Sequence, residues 1–274
     1  MGNVGGVHVA DSSVDLRGRT AIVTGAASGI GRAIAGMLAS HGAAVGVCDL
    51  HEVGARTVAQ EIEAAGGHAI PVRADVSRPD DVEAMVAATA REFGGLDILV
   101  NNAGLQFISP VHEFPVDKWN LLVGVMLTGT FLCTRYALPS MMARRWGRVI
   151  NISSIHGLVA SPFKSAYIAA KHGIIGLTRT VALEVGEYNI TANAICPSYV
   201  RTPLVMGQIA EQSKAHGIPE AEVVQKIMLA PAAVKRLLEP DEIAAFALYL
   251  CSEHAAGMTG GVYPIDVGWT ALPP

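Results

Sequence analysis

Charge is scarce in this chain: Asp, Glu, Lys and Arg make up 16% of its 274 residues, and the formal net charge is -4. The basic residues are scattered. No positive stripe follows a phosphate backbone or an anionic bilayer, so neither nucleic acid nor membrane is expected as a partner. Cysteine is limited to Cys48, Cys133, Cys196 and Cys251, all in apolar context and none in CxxC spacing. They read as buried free thiols in a reducing, cytoplasmic setting. The histidines form no HExxH and no paired ligand spacing, so no metal is expected. Long apolar runs are missing too. The stretch from Trp119 to Thr134, bracketed by Lys118 and Arg135, falls short of the ~20 residues of a membrane span. Residues 1–15 have no basic start followed by an apolar core, and read as a flexible leader rather than a signal peptide. Two Asn-x-Ser/Thr triplets, at Asn151 and Asn189, matter only in a secreted chain and are read as chance.

What is present is apolar residue, 51% of the total, enough for one large core. Thr20 to Thr24 is a β-rich run that meets Gly25-Ala26-Ala27-Ser28-Gly29-Ile30-Gly31, and Arg32 to Ser40 has helical composition. This is strand, glycine turn, helix, a place where backbone can approach a diphosphate at a helix's positive end. Ala43 to Asp49 is a second strand ending in a carboxylate. Such an acid accepts from both ribose hydroxyls of an adenosine and repels a 2'-phosphate, which favours NAD over NADP. An N-cap for the helix beginning near Glu52 is an equally compatible role for Asp49.

The alternation continues with strands over 69–73, 96–100, 148–152, 190–196 and 261–267. The helices between them imply a parallel sheet covered on both faces, with ligands at the carboxyl ends of its strands. Pro115 to Arg145 reads as one long helix that Pro139 should bend or divide. Residues 201–229 break the pattern with Gly207, Gly217 and Pro219, and are placed to act as a lid. Residues 16–274 thus form one domain.

Lys164-Ser165-Ala166-Tyr167-Ile168-Ala169-Ala170-Lys171 puts a phenol and an ammonium four residues apart on one helical face. A tyrosine with a pKa of about 10 works as acid or base near neutrality only beside a cation, and Lys171 is placed to supply one. Ser154, just after a buried strand, completes a plausible acid/base set. Taken alone, an exposed chance pair explains Tyr167 and Lys171 as well.

The joint pattern is far more specific. Thr24-Gly25-x-x-x-Gly29-x-Gly31, Asn101-Asn102-Ala103-Gly104, Ser154 and Tyr167-x-x-x-Lys171 make the chain resemble the short-chain dehydrogenase/reductase family over about residues 16–270. The resemblance implies an α/β single-domain Rossmann fold: a seven-stranded parallel sheet, helices on both faces and a helical substrate lid. It implies catalysis by Ser154, which orients the substrate oxygen, Tyr167, which exchanges the proton, and Lys171, which lowers the tyrosine's pKa and binds the nicotinamide ribose. It further implies cofactor contacts from Gly25, Ser28, Gly29, Ile30, Gly31, Asp49, Asp75, Val76, Asn102, Ala103, Gly104, Tyr167, Lys171, Pro197, Val200 and Thr202.

Segments such as Asn102-Ala103-Gly104-Leu105-Gln106, Lys164-Ser165-Ala166-Tyr167, Arg201-Thr202-Pro203-Leu204-Val205 and Trp269-Thr270-Ala271 are similar to one subgroup, the D-3-hydroxybutyrate dehydrogenases. That similarity implies that Gln106, His156, Lys164 and Gln208 hold a small carboxylate beside Ser154 and Tyr167, in a homotetramer. The expected reaction is NAD-dependent oxidation of a short 3-hydroxy acid, with (R)-3-hydroxybutyrate and acetoacetate as the leading pair. Another small hydroxy acid, a polyol or a secondary alcohol is the alternative, and a non-catalytic NAD-binding protein is the third reading.

Three positions depart from the pattern. Met126 replaces an asparagine whose main-chain carbonyl holds a relay water in the family, which implies slower turnover rather than none. Ser198-Tyr199 replaces Gly-Trp, and Asp266-Val267-Gly268 replaces Asp-Gly-Gly.

Overall fold

The computed structural model describes residues 14–271. The expected leader, residues 1–15, lies outside them except for Val14 and Asp15, whose carboxylate meets Arg17 at 2.6 Å. The first half of the chain runs β1 Thr20–Thr24, α1 Gly29–Ser40, β2 Ala44–Asp49, α2 Glu52–Ala64, β3 His68–Arg73, α3 Pro79–Phe93 and β4 Ile98–Asn101. The second half runs α4 Val116–Val123, α5 Gly129–Arg144, β5 Gly147–Ile152, α6 Ser165–Val185 and β6 Ile190–Pro197. The short helices α7 Pro203–Met206, α8 Ile209–His216 and α9 Glu220–Val223 follow, then α10 Pro240–Cys251 and β7 Val262–Ile265. The strands form one parallel sheet in the order β3-β2-β1-β4-β5-β6-β7.

Period-two alternation decides which residue faces which layer. Ala21 and Val23 of β1, Val45 and Val47 of β2, and Ile98 and Val100 of β4 pack with α1, α2 and α10. Ile22, Cys48 and Leu99 point the other way, onto α3, α5 and α6. Strands buried on both faces therefore read as unbroken apolar runs. Side-chain amides tie β4 and β5 to α6: Asn101 donates to Asn151 at 2.8 Å, and Asn151 donates to Thr178 at 2.8 Å. Asn151 is buried, which agrees with reading its triplet as chance.

Pro139 does not divide the long helix. Residues 116–144 are continuous, and the irregularity falls at Gly124–Thr128, a π-helical turn between α4 and α5. The missing amide of Pro139 is tolerated because Cys133, Ala137 and Met141 bury the adjoining face against the sheet. This run is longer than the apolar stretch read from sequence. At 29 residues, with a mean hydropathy of 1.5 over its most apolar window, it could cross a membrane by length and composition alone. Packing on the sheet and on α6 accounts for that composition, and 44% of the window is buried.

Residues 201–229, read from the sequence as a lid, form α7, α8, α9 and a π-helical turn at Val224–Met228. It has a small core of its own, in which Tyr199, Val223, Met228, Leu229 and Leu237 pack together with Trp269 alongside. The Trp269 indole donates to the Met228 carbonyl at 3.1 Å, joining this segment to the turn after β7.

Candidate active site

The carboxyl ends of β1, β4, β5 and β6 open onto a cleft of ≈ 290 Å³. Its floor is the glycine turn. Gly25 has φ 64, a left-handed conformation that costs glycine nothing, and a Cβ there would lie 2.9 Å from the Ala103 Cα. At Gly31 a Cβ would run into the Gly25 carbonyl and come within 2.5 Å of the Asn102 amide nitrogen. That amide already donates to the carbonyls of Thr24 and Gly25, at 2.9 and 3.1 Å. The turn is thus clamped from β4. Ser28 precedes α1 without a side-chain cap, so the first amides of α1 remain free to meet an anion.

Asp49 stands at the rim, fixed by two backbone donors: Ala27 at 3.0 Å and His51 at 2.9 Å. It does not cap α2, whose N-cap residue is His51. Its role at the rim is therefore positional, a carboxylate held at the end of β2. Gly25, Ser28, Gly29, Ile30, Asp49, Asn102, Gly104, Tyr167, Lys171, Pro197, Val200 and Thr202 all line the cleft. Gly31, Asp75, Val76 and Ala103 do not. Gly31 and Ala103 shape the turn from behind, Asp75 accepts from the Ser77 amide and hydroxyl, and Val76 packs against Gly129. His51, Ser198 and Leu204 are among the further residues that line the cleft, each within two positions of an expected contact.

Ser154 opens a 3-10 turn, Ile155–Gly157, and its hydroxyl accepts from the His156 amide at 3.1 Å. Tyr167 and Lys171 sit on α6 one turn apart. The Lys171 ammonium donates to the Ile152 carbonyl at 2.7 Å and lies 5.5 Å from the Tyr167 ring centre. Burial brings Lys171 down to about 8. Burial pushes the Tyr167 phenol above 10, and contact with the Ser154 hydroxyl only partly offsets this. Lys171 spends one N–H on a backbone carbonyl and sits beside the ring, which leaves desolvation dominant.

A second, smaller cavity of ≈ 50 Å³ adjoins the cleft and shares Ser154, Tyr167, Ser198, Leu204 and Val205 with it. Gln106, His156, Lys164 and Gln208 line it, all four residues expected for the carboxylate. His156 and Lys164 are buried. Neither ring nitrogen of His156 has a hydrogen-bond partner among the described residues, and burial together with the nearby Lys164 lowers its pKa to about 3. The imidazole therefore stays neutral at physiological pH. Desolvation lowers Lys164 to about 8, and its one hydrogen bond goes to the Tyr199 hydroxyl at 3.2 Å. Phe163, just before it, has φ 69, a left-handed strain of about 1–2 kcal/mol that turns the chain into α6. Gln208 donates to the Leu204 carbonyl at 3.0 Å and its Oε1 has no partner among the described residues, while the Gln106 side-chain Oε1 accepts from the Phe107 amide at 3.1 Å.

The departures find places in this geometry. The Met126 carbonyl accepts from the Thr130 hydroxyl at 2.6 Å, and the Met126 thioether lies 3.8 Å from where a Cβ of Gly104 would be. Val267 adopts φ 53, the left-handed conformation that glycine takes most readily, so the turn survives at a cost in strain. Trp269, beyond it, meets the His156 ring edge-on at 5.9 Å.

Comparison with known proteins agrees with this geometry. A family model described as enoyl-(acyl carrier protein) reductase matches residues 25–270. The chain is 48% identical over 258 residues to the D-beta-hydroxybutyrate dehydrogenase of Rhizobium meliloti (strain 1021), covering 92% of this chain and 99% of that protein. It is 43% identical over 259 residues to the D-beta-hydroxybutyrate dehydrogenase of Cupriavidus necator, covering 93% and 99%. It is also 41% identical over 255 residues to the cis-4-hydroxycyclohexanecarboxylate dehydrogenase of Sinomonas cyclohexanicum, covering 93% and 97%. With its parallel sheet, its glycine turn and its serine, tyrosine and lysine on one cleft, the chain belongs to the short-chain dehydrogenase/reductase family of nicotinamide-dependent oxidoreductases.

Proposed function

We propose that the chain interconverts (R)-3-hydroxybutyrate and acetoacetate with NAD as the redox partner. The observation that carries this reading is Lys164: a buried ammonium that has no ion-pair partner among the described residues, in a small cavity opening beside Tyr167. A charge held there without an anion is costly, so a cavity that retains one is suited to an anionic ligand. A four-carbon acid has little apolar area, and charge-assisted hydrogen bonds must supply its affinity.

The residues present fit NAD. The first amides of α1 and the bare Gly25 and Gly29 would take the diphosphate, Asp49 the adenosine ribose hydroxyls, and Lys171 the nicotinamide ribose. When bound, NAD supplies the hydride acceptor for a secondary alcohol. Ser154 holds the substrate oxygen, and Tyr167 takes the hydroxyl proton during oxidation and returns one during reduction. Lys171, 5.5 Å from the ring centre, favours the phenolate as it forms and works against the burial that disfavours it. Asp49 supports NAD over NADP by repelling a 2'-phosphate. A second copy of the chain is the expected assembly partner, and Trp119, Leu121 and Phe131 leave apolar surface exposed on the long helix.

Initial rates across short 3-hydroxy acids, polyols, cyclic hydroxy acids and uncharged secondary alcohols test the proposal. The highest kcat/KM is expected for (R)-3-hydroxybutyrate. Equal or higher values for the uncharged alcohols would reject the substrate assignment.

A further inference from the structure

Tyr199 forms one wall of the small cavity and is held between the neutral His156 imidazole and the Lys164 ammonium. Its ring meets the His156 ring edge-on at 6.3 Å, its hydroxyl accepts from Lys164 at 3.2 Å, and the ammonium lies 5.2 Å from its ring centre. The residue is 8% exposed, and burial with the neighbouring Tyr167 holds its phenol above the usual range. It remains a neutral donor throughout the working pH range. Its oxygen is used by Lys164, but the hydroxyl hydrogen has no acceptor among the described residues. An accepting phenol oxygen leaves its O–H free to point into the cavity it lines.

Resting on the carboxylate-binding reading above, we infer that Tyr199 is a further substrate-binding and specificity-determining residue: it positions the Lys164 ammonium and donates its own O–H to the substrate carboxylate. The two groups then act as one unit. The lysine polarises the phenol, and the phenol fixes a side chain that otherwise has four rotatable bonds. The pair links α6 to the chain just after β6, across 35 residues of sequence, so the anion site closes only when the lid root is in place. Discrimination should therefore fall on charge. Removing the hydroxyl penalises an acid and spares an uncharged ketone of similar size.

The test is calorimetric titration of the NADH-bound protein with acetoacetate, and with 2-butanone as the uncharged probe, for the unmodified chain and Tyr199→Phe. NADH affinity, measured first, reports folding and is expected to be unchanged. Loss of a hydrogen bond to a charged group should weaken acetoacetate about tenfold or more in Tyr199→Phe and leave 2-butanone unaltered. In a Lys164→Met background the further loss on adding Tyr199→Phe should be clearly smaller, as coupling requires. Equal acetoacetate affinity in the unmodified chain and Tyr199→Phe overturns the inference and leaves the substrate assignment standing. No acetoacetate binding by the unmodified chain overturns both.

Discussion

Replacing Lys164 by methionine should stabilise the protein while removing its grip on an acid. Desolvation takes the ammonium from 10.5 to about 8 in the fold, which corresponds to about 3 kcal/mol of destabilisation at neutral pH. Methionine matches the unbranched stem and carries no charge. It also forfeits the hydrogen bond to Tyr199, worth about 1 kcal/mol, so the net gain is about 2 kcal/mol. The pH dependence supplies a second check. Below about pH 8 the lysine is protonated both folded and unfolded, and the burial cost is felt in full. Between about 8 and 10.5 the folded lysine gives up its proton while the unfolded one keeps it, so the unmodified protein gains stability as pH rises. The advantage of Lys164→Met should therefore shrink by more than half between pH values near 7 and near 9.5. Urea denaturation at the two pH values measures it, and the KM for the acid should rise at least tenfold. A variant less stable than the parent at pH 7, or an advantage independent of pH, would refute the reasoning that the site stores an uncompensated charge.

Other outcomes follow from the same geometry. Gly31→Ala places a methyl against the Gly25 carbonyl and the Asn102 amide, and should abolish NADH binding by fluorescence while costing about 1–3 kcal/mol in stability. Asp49→Ala should raise the NADP-to-NAD ratio of kcat/KM at least tenfold, since it removes the carboxylate at the rim; an unchanged ratio would release Asp49 from that role. Because Tyr167 lies above 10, the rate of oxidation should climb with pH above neutrality and that of reduction should not. His156, with its pKa near about 3, should show no imidazole titration by NMR between about pH 5 and 8, and a midpoint close to 6.5 would contradict its burial.

The parts of this fold that local chemistry determines were legible in the sequence. The glycine turn, the apolar strands, the Pro240–Cys251 helix with proline at its first turn, and the i and i+4 pairing of Tyr167 with Lys171 are all short-range features. The meeting of Gln106, His156, Lys164 and Gln208 was legible only through resemblance, because these residues come from separate elements. Three features had no local signal. The π-helical turn at Gly124–Thr128 depends on packing against neighbours and has no residue signature of its own. The upward shift of Tyr167 reflects how deeply the fold desolvates it, which spacing along a helix does not report. At the opposite end of the sheet, Asp97 is buried between Arg19 and Arg144 and accepts from the Thr20 amide at 2.9 Å, an ion cluster assembled from three distant segments.

The measurement that bears most directly on the account is NADH formation from (R)-3-hydroxybutyrate by the unmodified chain and by Tyr167→Phe at matched NAD saturation. The account predicts turnover in the first and a loss of at least a thousandfold in kcat in the second, with NADH affinity retained. Comparable turnover in Tyr167→Phe, or none in either protein while NADH still binds, would contradict it.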